Sequence, residues 1–96
     1  MDFVFRNGFR QQLNVTLPDK TKLTLNPPKL KLLKRLSNIG QDMDEIVQVI
    51  ALILSNNREG RHYDADTVEE MMDIQEMIEF LTAYTAFIQE IQSLKN

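Results

Sequence analysis

The amino-acid sequence predicts a mainly α (α+β) protein in which an N-terminal β-hairpin packs on a bundle of three to four helices, with a long C-terminal helix. Three observations predict it. Apolar residues alternate with period two before Pro27, they recur at steps of three and four after it, and Asp-x-x-Glu signals divide that second part into separate helices. A chain of 96 residues buries about two-thirds of its unfolded surface around one core and is too short for two. A single domain over 1–96 is expected, with 1–26 as its hairpin region and 27–96 as its helical region.

In the hairpin, expected over 9–25, Leu13, Val15 and Leu17 alternate with Asn14 and Thr16, and Leu23 and Leu25 alternate with Lys22 and Thr24. Pro18-Asp19-Lys20 between them is turn chemistry, which leaves one face apolar and one wet. Phe3, Val4 and Phe5, ahead of Asn7-Gly8, fit either a further short strand or an arm. Asn26-Pro27-Pro28 reads as a helix start, a capping side chain followed by prolines whose missing N–H groups have no partner in a first turn anyway. This helix runs to Ile39 and stops at Gly40, with Leu30, Leu32, Leu33, Leu36 and Ile39 on one face and Lys29, Lys31, Lys34 and Arg35 on the other. Asp42 with Glu45 forms a capping box for a second helix. Its Ile46, Val47, Val49, Ile50, Leu52, Ile53 and Leu54 make it apolar almost all round, the mark of a central buried element. The polar stretch Asn56 to Arg61 ends it. Asp66 with Glu69, then Asp73 with Glu76, predict a third helix of about two turns and a fourth from Asp73 to Lys95.

The fourth helix carries the widest apolar face. Ile74, Met77, Leu81, Tyr84, Ile88 and Ile91 recur at helical spacing, and Phe80, Phe87 and Leu94 add a second stripe. At about 1.5 Å per residue it is about 33 Å long, against about 20 Å for each of the first two helices. One end is therefore expected to overhang by roughly two turns. If packing begins near Ile74, Phe87, Ile88, Ile91 and Leu94 lack intrachain cover, and Phe80, Tyr84, Phe87, Ile88, Ile91 and Leu94 form a protein-interaction surface, the alternative being that the stripe is core alone. On that reading Phe87→Asp with Ile91→Asp leaves a folded chain without partners.

Charge is divided along the chain. Residues 1–40 hold eight basic and two acidic side chains, and residues 41–96 hold three basic and twelve acidic ones. The two halves either neutralise each other within one fold or attract between copies. There is no cysteine, which removes disulfides and thiolate chemistry and fits a reducing cytoplasm. The start, Met-Asp-Phe-Val-Phe-Arg, lacks the pattern of a signal peptide. The longest apolar run, Val49 to Leu54, falls far below the roughly 20 residues of a bilayer span. A soluble protein without membrane contact is expected.

Little in the sequence points to chemistry. The sole histidine, His62, stands near Asp64 and Asp66 without a second imidazole or a thiolate, so no metal site is expected. Residues 57–69 are rich in oxygen ligands but lack the Asp-x-Asp-x-Asp-Gly order of a calcium loop. Glu69, Glu70, Asp73, Glu76 and Glu79 read as a solvated helix face beside helix N-termini rather than as catalytic carboxylates. With no phosphate loop and no Ser/His/Asp grouping, neither catalysis nor a cofactor is expected. A rival reading is a small regulatory or nucleic-acid-binding protein that uses Lys20, Lys22, Lys29, Lys31, Lys34 and Arg35. The overall acidity, and the lack of a row of side chains for reading base edges, weigh against it.

The segment 42–91, DMDEIVQVIALILSNNREGRHYDADTVEEMMDIQEMIEFLTAYTAFIQEI, completes a pattern that covers most of the chain. An N-terminal β segment, a Lys-rich first helix, an Asn-Asn-x-x-Gly loop with an Asp-rich cap and a terminal Asp-Ile-x-x-Met-Ile-x-Phe-Leu-x-x-Tyr-x-x-Phe-Ile helix follow in order. Together these resemble the small tail assembly chaperones of long-tailed phages and prophages of Gram-positive bacteria. The resemblance implies a non-enzymatic chaperone in the cytoplasm of the bacterial host. It would coat the tape-measure protein, a long apolar helix-rich polypeptide, and keep it soluble during tail assembly. It also implies self-association as a homo-oligomer and, as in many such chaperones, a longer frameshifted form. The resemblance carries no individual residue role to this chain.

Overall fold

Strand β1 (Leu13–Thr16) pairs antiparallel with β2 (Lys22–Leu25) in the computed structural model, which describes residues 11–93. Leu13 stands opposite Leu25 and Val15 opposite Leu23, so the alternating apolar residues share one face. Leu17, Leu23 and Leu25 are buried, whereas Asn14, Thr16 and Lys22 are exposed. The turn closes through the Leu17 N–H donating to the Thr21 carbonyl and the Lys20 N–H donating to the Leu17 carbonyl, both at 2.8 Å. Lys20 takes φ 72, the left-handed residue that a three-residue hairpin loop requires at its end. The expected short strand at Phe3–Phe5 and the start of the hairpin at Phe9 lie outside the described residues.

Four helices follow, and their starts correct the sequence reading in three places. Helix α1 (Leu30–Ser37) is capped by Lys29, in extended backbone and without a side-chain cap, rather than by Asn26. The physical reason is proline geometry: a residue that precedes proline is driven out of the helical region, so Asn26 and Pro27 stay outside the helix, which starts only after both prolines. Helix α2 (Met43–Ser55) does start at Asp42, whose side chain accepts from the Asp44 N–H, but Glu45 turns to Arg35 instead of closing a capping box. Helix α3 (Ala65–Met71) is capped by Asp64, not Asp66; Asp64 Oδ1 accepts from the Thr67 N–H at 2.9 Å and from the Thr67 hydroxyl at 2.8 Å. Both bonds hold its carboxyl below the usual carboxylate range. At helix α4 (Ile74–Ser93) the box forms in full. The Glu76 N–H donates to Asp73 Oδ1 at 2.8 Å and the Asp73 N–H donates to Glu76 Oε1 at 2.9 Å.

Helix α2 is the central element, as its all-round apolar pattern predicts. Val47, Val49, Ile50, Ala51, Ile53 and Leu54 are buried, and α1, α3, α4 and β2 all pack on it. Helix α4 contributes Met77, Phe80, Tyr84, Phe87 and Ile88 to the same core, with Ile91 partly buried against it. Its rings form a ladder, Phe80 and Tyr84 with centroids 6.2 Å apart and Tyr84 and Phe87 5.9 Å apart. Among the described residues no helix is long and apolar enough to cross a membrane.

The stretch between α2 and α3, a turn-prone loop on sequence grounds, runs alongside β2 and holds the hairpin against α2. The Arg58 N–H donates to the Thr24 carbonyl at 2.8 Å, the Asn26 N–H donates to the Asn56 carbonyl at 3.0 Å, and Asn57 bridges Leu25. Glu59 accepts from the Thr24 N–H at 2.9 Å, which lowers its pKa. Buried Asn57 fixes the loop's own shape: its Nδ2 donates to the carbonyls of Leu54 at 2.7 Å and Arg61 at 2.8 Å, and its Oδ1 accepts from the Arg61 N–H at 2.9 Å.

Candidate functional site

Helix α1 is the element whose apolar side is least covered. It is eight residues long and strongly two-faced, yet none of its residues is fully buried. So short a helix lays Leu32, Leu33 and Leu36 on the core but cannot enclose them, and Leu30 at its start remains 64% exposed. Helix α2 meets it with Leu52, 43% exposed, the one residue of the Val49–Leu54 run that turns outward. Between the two helices lies an open groove of about 540 Å³ lined by Lys29, Lys31, Leu32, Arg35, Leu52, Ser55 and Asn56. Leu32 and Leu52 give it an aliphatic lining, Lys29, Lys31 and Arg35 make the α1 side cationic, and Ser55 and Asn56 make the α2 side polar.

One ion pair joins the helices beside the groove. Arg35 Nε donates to Glu45 Oε1 at 2.9 Å and its Nη2 donates to Gln48 Oε1 at 2.8 Å. The side-chain hydrogen bond from Arg35 lowers the Glu45 pKa and raises that of Arg35. This is the only ion pair among the described residues. Lys29, Lys31 and Lys34 stay exposed, so Arg35 with Glu45 is the one direct charge contact between the basic and acidic halves among the described residues.

The six interaction residues expected from sequence occupy a different place. Phe80, Tyr84, Phe87 and Ile88 are buried within their own chain, with Phe87 5% and Ile88 8% exposed, and Ile91 is partly buried. Leu94 lies outside the described residues. The expectation that the far end of the last helix lacks intrachain cover is thus overturned for Phe87 and Ile88. The reason is rotation of the helix about its axis. The contact face runs through Met77, Phe80, Tyr84 and Phe87, which turns Ile74 and Ile78 at the near end outward, 51% and 58% exposed. The apolar surplus on α4 exists at its start rather than its end.

The groove residues were missed because periodicity assigns leucines to a face without saying whether a neighbour covers it. The available signal was the disproportion within α1, four apolar positions, Leu30, Leu32, Leu33 and Leu36, in eight residues; the helix ends at Ser37, short of the expected stop at Gly40. His62 is exposed in the loop, and among the described residues no cluster of three or more His, Cys, Asp or Glu side chains is placed to hold a metal ion. No family model, no curated protein and no solved structure matches this chain.

Proposed function

We propose that the chain is a non-enzymatic tail assembly chaperone of a phage or prophage, and that it holds amphipathic helical segments of the tape-measure protein in the groove between α1 and α2. The observation that carries the reading is the groove itself, lined by aliphatic Leu32 and Leu52 and by cationic Lys29, Lys31 and Arg35. Such a surface suits a helix with an apolar stripe and acidic flanks, because burial supplies affinity and the lysines supply orientation. The resemblance of residues 42–91 to such chaperones supports the tape-measure protein as the client. Holding works by mass action, since each bound client segment is withdrawn from aggregation.

Co-expression with a tape-measure protein tests this. The wild-type chain keeps the client in the soluble fraction and is retained with it, whereas Leu52→Asp loses most of both effects while keeping its fold by circular dichroism. Equal retention by the variant would contradict the assignment of the groove. A second reading has one observation in its favour, the exposed lysines of α1. Fluorescence anisotropy with duplex DNA at two salt concentrations separates the two, since a nucleic-acid partner gives salt-sensitive binding that Leu52→Asp leaves intact.

A further inference from the structure

We infer that, without a client, the groove between α1 and α2 of one copy takes the exposed Ile74–Ile78 edge of α4 from a second copy, so that chains associate head to tail. Ile74 and Ile78 stand four residues apart on one face of α4 and are 51% and 58% exposed. Exposed Asp73 and Glu79 adjoin them. The groove offers the complement, Leu32 and Leu52 with Lys29 and Lys31. Asp73 caps α4 and Glu79 accepts from Gln75 Nε2, but neither carboxylate, and neither lysine, has an ion-pair partner within the chain, where Arg35 with Glu45 is the only ion pair among the described residues. Contact between copies brings apolar to apolar and lysine to carboxylate in one step.

The two surfaces share no residue, so the contact is heterologous. Each pair leaves one groove and one edge unused, and association continues until a ring closes or a filament runs on. The contact uses the groove of the proposed function but needs no client. It also makes self-association and client capture mutually exclusive, which keeps the aliphatic lining covered until a client arrives.

Sedimentation velocity on the full chain tests the contact, with Leu52→Asp and Ile78→Asp measured alone and mixed in equal amounts. Wild type forms concentration-dependent oligomers, each variant alone is a monomer, and the mixture forms a 1:1 dimer from the intact groove of one and the intact edge of the other. A wild type that stays monomeric at high concentration, a single variant that still associates, or a mixture that does not pair would overturn the inference. Lys31→Glu and Glu79→Lys, both at exposed positions, form a second pair should either aspartate variant lose its fold. Each weakens association at least tenfold alone, and mixing them restores it. Client capture is scored separately with a tape-measure fragment: its loss in Leu52→Asp supports the proposed function, and its persistence there contradicts that function while leaving the contact between copies standing.

Discussion

Tyr84 sits at the middle of the aromatic ladder, 1% exposed, and its hydroxyl has no hydrogen-bond partner. A buried donor left unpaired costs about 1–3 kcal/mol, so Tyr84→Phe, which keeps the ring and removes the hydroxyl, is expected to raise stability by about 1 kcal/mol. Urea titration at neutral pH measures it. The same burial pushes the Tyr84 phenol from 10.0 up to about 12. The sign follows from linkage. Between those two values the unfolded chain has released the Tyr84 proton and the folded chain retains it, so this residue's contribution is intact below pH 10 and is lost as pH rises toward about 12. The stability difference between wild type and Tyr84→Phe therefore widens over that window; a constant difference would mean that the phenol ionises as freely in the fold as outside it. Tyr84 was legible as a helix-face residue from its spacing. Its orphaned hydroxyl was not, because spacing assigns a side chain to a face and says nothing about what polar atoms wait there.

Among the elements, the loop joining α2 to α3 does more than connect. It supplies backbone partners to β2 and so ties a two-stranded hairpin, marginal by itself, to the central helix. Asn57→Ala removes three hydrogen bonds at a site only 9% exposed and is expected to destabilise the fold by about 2–3 kcal/mol. Amide hydrogen exchange checks the mechanism: Arg58 and Asn26, which bond across to this junction, lose protection before the amides of α2 do. Uniform loss would assign the effect to global unfolding instead. The sequence marks this loop as polar and turn-prone, and its carrying strand-like pairing depends on contacts thirty or more positions apart, which no local pattern records. Local chemistry was legible where a motif is complete in itself. The Asp73 and Glu76 box forms as read, while Glu45 leaves its box because Arg35, ten residues away, offers a charged partner. Proline sterics at Asn26 and Pro27 were equally present in the sequence and outweigh the capping preference that Asn26 would otherwise express.

For the molecule as a whole, the periodicities identify the elements and their apolar faces but not the rotation of α4 about its axis. The buried face takes residues from both stripes. Phe80, Tyr84 and Phe87, whose rings remove more apolar surface from water than Ile74 and Ile78 do, turn inward with Met77 and Ile88, and Ile74 and Ile78 turn out. That choice covers the expected surface at Phe87 and Ile88, and the proposed function places client binding in the groove on α1 and α2 instead. Thermal unfolding of Phe87→Asp and Leu52→Asp, run side by side at concentrations low enough to suppress association, measures that choice directly. Phe87→Asp places a carboxylate in a site 5% exposed and is expected to lose more than about 3 kcal/mol, a large part of the stability of a domain of this size. Leu52→Asp changes an exposed helical position and is expected to stay within about 1 kcal/mol of wild type. A Phe87→Asp chain that melts like wild type, or a Leu52→Asp chain that does not fold, would contradict the packing from which the groove is derived.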